Sequence, residues 1–242
     1  MTRRILLVSS STCHPTGFLD HAENEIRAFL GGVRRVLFLP WALRDRDAYA
    51  EKLRERLGRM GYEVDSAHGA AEPARAVLTA EAVFAGGGNT FRLLQALYEL
   101  DVMVPLRRRV AEGMPYVGSS AGSNVACATI RTTNDMPIVE PPSLAALGLV
   151  SFNLNPHYLD PDPASTHRGE TREERIAQFH EENDPPVVGL REAAILRIEG
   201  NEVRLRGGAG ARIFLKGEPP FEASPGDRLD FLLGNQLWCI NT

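Results

Sequence analysis

An α/β fold is predicted: a mostly parallel sheet with helices on both faces, and antiparallel hairpin strands at the C-terminal end. Three observations predict it. Short apolar runs alternate with longer amphipathic stretches from residue 3 to residue 192, the pattern of strand, crossover helix and strand. Glycine or small polar residues follow two of these runs at once, in "FAGGGN" and "YVGSSAG", so the chain passes from strand to helix without a long loop. Beyond residue 193 the punctuation changes to "EGNE" and "GGAG" between alternating runs, which signals hairpins.

The elements follow in order. "RRILLVSS" (3–10) is a strand bounded by hydroxyl residues, and "LDHAENEIRAFLGG" (19–32) a helix with Ile26, Phe29 and Leu30 on one face, stopped at Gly31. "RRVLFLPW" (34–41) is a strand, "DRDAYAEKLRERLGRMG" (45–61) a helix, "YEVDSA" (62–67) a strand and "EPARAVLTA" (72–80) a short helix. "EAVFAGGG" (81–88) is a strand running into glycines. It precedes the helices "NTFRLLQALYEL" (89–100), with Phe91, Leu94 and Leu97 as its stripe, and "VPLRRRVAEG" (104–113). "MPYVGSS" (114–120) is a strand followed at once by a helix, "AGSNVACATI" (121–130). "LVSFNLNPH" (149–157) and "PPVVGLRE" (185–192) are strands on either side of the charged helix "TREERIAQFHEEN" (171–183). The hairpin strands of 193–217 extend the sheet.

The 242 residues are 43% hydrophobic, enough for one core, and no repeat or linker divides them. One domain, 1–242, is expected, with about 226–242 a C-terminal extension that follows a turn at Pro225-Gly226 and is apolar enough to pack. A net charge of −4 argues against a nucleic-acid binder and gives no support for docking on an anionic membrane. Cys13, Cys127 and Cys239 have no metal-ligand spacing and read as reduced thiols of a cytoplasmic protein. The N-terminal apolar run is too short for a secretory h-region, and no stretch approaches a membrane span.

Ligands of open parallel sheets bind beyond the carboxyl ends of strands, and four segments at such ends carry candidate chemistry. "AGGGNTF" (85–91) offers bare backbone N–H groups to an anion or oxyanion; it is neither G-x-G-x-x-G nor a P-loop. Gly118, Ser120 and Gly122 fit G-x-S-x-G, which exposes a serine on a sharp strand-to-helix turn and aims the Ala121 N–H at the same place. Ser119 is one residue off the motif and Ser123 lies within the helix. His157 in "NPHY" is the histidine best placed as base; His14, His21 and His68 precede the serine, and His167 and His180 lie in a polar loop and a charged helix. Two acids can orient it, Glu192 at a strand end and Asp135 in "RTTNDMP", and topology favours Glu192. Arg168, Arg172 and Arg175 gather at a helix start, and an arginine in the crevice would select an acidic group.

Together "GGGNTF", "SAGSNVACATIRTTNDMPIVEP", "NPHY", "GETREERI" and the Gly-Leu-x-Glu around Glu192 resemble peptidase E, the α-aspartyl dipeptidase family, from the first strand to about "FLKG". That family is related to cyanophycinases and shares the class I glutamine amidotransferase-like, flavodoxin-like fold. The resemblance implies a serine peptidase that releases N-terminal aspartate from small peptides, with no cofactor or metal, as monomer or homodimer. It implies Ser120 as nucleophile, His157 as base, Gly88 and Ala121 as oxyanion donors, and Asn89 and Arg172 as substrate contacts, Arg172 at the aspartyl carboxylate. Either Asp135 or Glu192 completes the triad. The rival readings are a cyanophycinase-like hydrolase of β-aspartyl links, a glutaminase-like amidotransferase, and a non-catalytic module that holds a small anion or nucleotide.

Overall fold

The computed structural model describes residues 3–161, 164, 166 and 169–234. Two sheets are present among them. The larger has seven strands: β1 (Arg4–Val8), β2 (Arg35–Leu39), β3 (Glu63–Ser66), β4 (Ala82–Ala85), β5 (Tyr116–Ser119), β8 (Ala194–Glu199) and β9 (Glu202–Gly207), in the order β3-β2-β4-β5-β1-β8-β9. The first five are mutually parallel. β8 runs antiparallel to β1 and folds back on itself as a hairpin with β9.

Period-two alternation sends successive side chains of these strands to opposite faces. Ile5, Leu7, Leu37, Leu39 and Val83 enter one core, which the helices α3 (Pro73–Thr79), α4 (Thr90–Glu99), α5 (Met103–Ala111) and α6 (Ala121–Ala126) cover. Leu6, Val8, Val36, Phe38 and Phe84 enter a second core beneath α1 (Glu23–Leu30) and α2 (Arg46–Arg59). The predicted helices on both faces are therefore present. Among the described residues no helix is long and apolar enough to cross a membrane.

Two expectations change. The first concerns "GGAG", which does not turn one hairpin into the next strand of the same sheet. It carries the chain out of the seven-stranded sheet into a four-stranded one, ordered β11-β10-β7-β6, made of β6 (Asn153–Pro156), β7 (Val187–Leu190), β10 (Ala211–Phe214) and β11 (Phe221–Ala223). Gly207, at φ 89°, lies where a Cβ would stand 2.1 Å from the Ala193 carbonyl oxygen, and the Gly208 N–H donates to that carbonyl at 2.9 Å. The end of β9 is thus held by residue 193, and β10 is free to pair with β7.

The second concerns the helix after β5, which stops at Ala126 rather than near Ile130. The N–H groups of Leu147, Gly148 and Leu149 take the carbonyls of Val125, Cys127 and Ala126, so a returning loop caps the helix early. α7 (Arg172–Glu182) carries a capping box, with the Thr171 hydroxyl accepting from the Glu174 N–H and the Glu174 carboxylate accepting from the Thr171 N–H. Of the C-terminal segment, Leu229, Leu232 and Leu233 are buried in the core that spans both sheets.

Candidate active site

Ser120 stands between β5 and α6 with φ 51° and ψ −109°, a backbone conformation that a residue with a Cβ adopts only under strain. The surroundings impose it. The Ser120 N–H donates to the Val8 carbonyl at 3.0 Å, and its own carbonyl accepts from Ser123 N–H and Asn124 N–H. The flanking glycines have a steric cause. A Cβ on Gly122 would lie 2.0 Å from the Ala85 carbonyl oxygen, and one on Gly118 would lie 2.5 Å from the Gly122 carbonyl oxygen. The turn is tight because β4, β5 and α6 meet there in backbone-to-backbone contact.

His157 follows β6, also at positive φ, 53°. Its N–H donates to Ser9 Oγ at 3.0 Å, and the Ser9 hydroxyl donates to the Leu190 carbonyl at 2.7 Å. Ser9, directly after β1, therefore ties the end of β6 to the end of β7. This places His157 Nε2 2.9 Å from Ser120 Oγ, and His157 Nδ1 3.0 Å from Glu192 Oε1. With Nδ1–H donating to the carboxylate, Nε2 is left to accept the serine proton. The pair is half-open to solvent, the side chains of His157 and Glu192 being 41% and 47% exposed.

Asp135 is engaged elsewhere. Its Oδ2 accepts from the Thr90 N–H at 2.8 Å and from the Thr90 hydroxyl at 2.6 Å, at the N-terminus of α4. Asn89 is the N-cap of the same helix: its Oδ1 accepts from Arg92 N–H, and its Nδ2 donates to the Met136 carbonyl. Both residues thus fasten the 131–140 loop to the glycine segment. Asn134, one residue before Asp135, donates to the Pro156 carbonyl at 2.8 Å, and its Oδ1 accepts from Arg172 and from Asn155. Arg172 is the first residue of α7, and burial together with nearby Arg175 lowers its pKa from the ordinary arginine value. It stays cationic and faces the His157 segment through Asn134. Arg168 and His167 lie outside the described residues, as does Cys239.

The glycine segment runs alongside the serine. A Cβ on Gly87 would stand 3.1 Å from Ser120 Cβ. Buried Tyr49, from α2, accepts the Gly87 N–H at 2.8 Å, and burial pushes its own pKa up to about 12, so it remains a neutral phenol. Among the described residues neither the Gly88 nor the Ala121 N–H has an acceptor. No group of three or more His, Cys, Asp or Glu among them is arranged to hold a metal ion. His68 contacts Ser66 and Asp47, and His180 contacts the Pro185 carbonyl, whereas Ser120 Oγ meets His157. His21 is half-buried, and that partial burial lowers its pKa.

Three residues of this arrangement lacked a signal strong enough to select them from the sequence: Ser9, Tyr49 and Asn134. Ser9 sits at the carboxyl end of a predicted strand, as the other candidates do. Asn134 adjoins Asp135. Tyr49 is one of several apolar-face residues of its helix, and nothing local marks it.

The chain is similar to known proteins over most of its length. The model of Peptidase family S51 matches residues 5–206. A "Peptidase E" of Streptomyces coelicolor is 51% identical over 229 residues, covering 95% of this chain and 94% of that protein. A "Probable alpha-aspartyl dipeptidase" of Drosophila melanogaster is 46% identical over 234 residues, covering 96% and 98%. Among solved structures, a putative peptidase E of Listeria monocytogenes EGD-e aligns with TM-score 0.66 at 22% identity, over 86% of this chain and all of that one. A peptidase from an acI-B1 actinobacterium aligns with TM-score 0.70 at 19% identity, over 93% and 96%. At those identities the two structures bear on the fold.

Proposed function

The chain belongs to peptidase family S51, and on that premise we propose that it is a serine peptidase that releases N-terminal aspartate from small Asp-X peptides. The observation that carries the reading is the relay Ser120 Oγ, His157 Nε2, His157 Nδ1 and Glu192 Oε1, with both contacts at hydrogen-bond length, 2.9 and 3.0 Å. The names of the relatives, peptidase E and probable α-aspartyl dipeptidase, support the substrate class.

In this reading His157 takes the Ser120 proton as the oxygen attacks the α-carbonyl carbon of the N-terminal aspartate. Glu192 holds the ring in the competent tautomer and stabilises the imidazolium. The oxyanion rests on the unoccupied N–H groups of Gly88 and Ala121; loss of one such donor typically costs about 10²–10³ in rate. His157 then gives its proton to the leaving amine, and water resolves the acyl-enzyme by the same route. Arg172, oriented by Asn134, receives the aspartyl carboxylate. Asp135 and Asn89 act indirectly, by holding the 131–140 loop to the N-terminus of α4. The whole chain, 1–242, serves as one catalytic domain, its two sheets sharing one apolar core.

The test is hydrolysis of Asp-X, Glu-X, Asn-X and β-Asp-X peptides by wild type and Ser120→Ala, with chelator present. Asp-X cleavage that the variant loses is the expected result. Cleavage of β-Asp-X alone would move the assignment to the isopeptide hydrolases. Undiminished cleavage by Ser120→Ala would remove serine catalysis altogether.

A further inference from the structure

A cavity of about 370 Å³ opens beside the glycine segment, lined by Gly87, Gly88, Phe18, Leu43, Tyr49 and Lys52 among others. It lies on the α1/α2 side of the sheet, since Tyr49 belongs to that core and Phe18 packs against it. Arg172, Asn134 and Asp135 leave the glycine segment on the other side, toward α4 and α6. For a peptide whose carbonyl carbon stands at Ser120 with aspartate on the Arg172 side, this cavity beside Gly87 and Gly88 is the space on the opposite side.

The walls fit one amino-acid residue. Phe18, Leu43 and Tyr49 are apolar or aromatic, and the volume is at the low end for small-molecule pockets. Lys52 brings the charge. Its Nζ lies 4.5 Å from the centre of the Phe18 ring, held by cation–π attraction, and among the described residues no carboxylate pairs with it. Asp45, the acid on the same wall, is the N-cap of α2, its Oδ1 accepting the Ala48 N–H at 3.0 Å. Lys52 is thus a cation at the rim of an apolar cavity beside the glycine segment that adjoins Ser120, with the other local charge turned to a helix end.

We propose that this cavity is the subsite for the leaving residue, and that Lys52 binds its free α-carboxylate. The proposal rests on the peptidase reading above and deepens it. In a dipeptide the carboxylate carbon is two bonds from the scissile nitrogen, through Cα, so the charge of the leaving residue enters the cavity that Lys52 lines. In a longer peptide an uncharged amide stands at that place. Lys52 is therefore the residue that favours dipeptides over longer chains, and the apolar wall favours an aliphatic or aromatic leaving residue.

The test compares Asp-Leu with its C-terminal amide, Asp-Leu-NH₂, in wild type, Lys52→Gln and Lys52→Glu. Lys52 is exposed on α2, so both variants keep the fold. Wild type is expected to prefer the acid by about tenfold in kcat/KM, the low end for a hydrogen bond to a charged group. The preference resides in KM. Lys52→Gln brings the ratio toward one, and Lys52→Glu reverses it. A ratio that is the same in wild type and Lys52→Gln overturns the assignment of Lys52 while leaving the peptidase reading intact. Failure of wild type to cleave either peptide overturns that reading, and this assignment with it.

Discussion

Glu192→Gln isolates the contribution of the third member of the relay. The substitution keeps shape and a hydrogen-bond acceptor but removes the charge that faces His157 once it carries the serine proton. Charge centres about 4 Å apart attract by about 4 kcal/mol at an effective dielectric of 20, and by about 1 kcal/mol in water. The side chains are 41% and 47% exposed, so an intermediate value of about 2–3 kcal/mol applies, or about 30- to 150-fold in rate. The imidazolium forms only during reaction, so kcat and kcat/KM fall together and KM stays put. Steady-state hydrolysis of an Asp-X peptide measures this, with a thermal melt to show that the fold is kept. Asp135→Asn is the control. It weakens two hydrogen bonds from Thr90 and removes an anion from the N-terminus of α4. The cost is about 1–2 kcal/mol of stability, or about 2–8 °C in Tm for a chain of this size, with a smaller loss in kcat than Glu192→Gln. The reasoning is refuted if Glu192→Gln keeps the wild-type kcat while Asp135→Asn loses it at unchanged Tm.

Other outcomes follow from single contacts. Ser120→Gly and Ser120→Ala are both inactive, but only glycine relieves the positive φ, so Ser120→Gly melts higher by about 2–4 °C, the equivalent of about 1 kcal/mol; equal melting temperatures would deny the strain. Gly122→Ala puts a Cβ 2.0 Å from the Ala85 carbonyl oxygen, and urea unfolding should show a loss of about 3 kcal/mol or more; a near-neutral result would mean β4 and α6 can part. Arg191 pairs with Asp160 and Glu222 at 2.6 and 2.8 Å and holds both carboxyls below their ordinary values. Depressed folded-state values mean that this stability is complete above the unfolded carboxylate range of about pH 4 and is lost as pH falls through the lowered values. Arg191→Met should therefore flatten the acid limb of a plot of Tm against pH, and an unchanged limb would show that these half-exposed pairs contribute nothing.

Much of the molecule was legible from local chemistry. Alternating apolar runs located the strands and helices because burial repeats every two residues in a strand and about every 3.6 in a helix. G-x-S-x-G picked out Ser120 because only glycines fit where backbones touch, a constraint written within five residues. His157 and Glu192 were legible as strand-end residues because parallel strands deliver their carboxyl ends to one crevice. The strand-end position of Glu192 favoured it over Asp135, but the sequence did not decide between them. Both follow Ser120, and only the sheet order decides which reaches the imidazole. β7 lies beside β6, with Ser9 clamping their ends, so Glu192 meets Nδ1; the 131–140 loop is drawn instead to the N-terminus of α4, where Asp135 finds Thr90. The departure of β10 into a second sheet was hidden for the same reason, since "GGAG" reads as a hairpin turn until Ala193 is found against Gly207. The sequence by itself determined which segments are strands and helices, and which residues stand at strand ends. The tertiary structure decided which of those ends meet, because the hydrogen bonds that join them link residues 148 and 181 positions apart, and such separations leave no local trace.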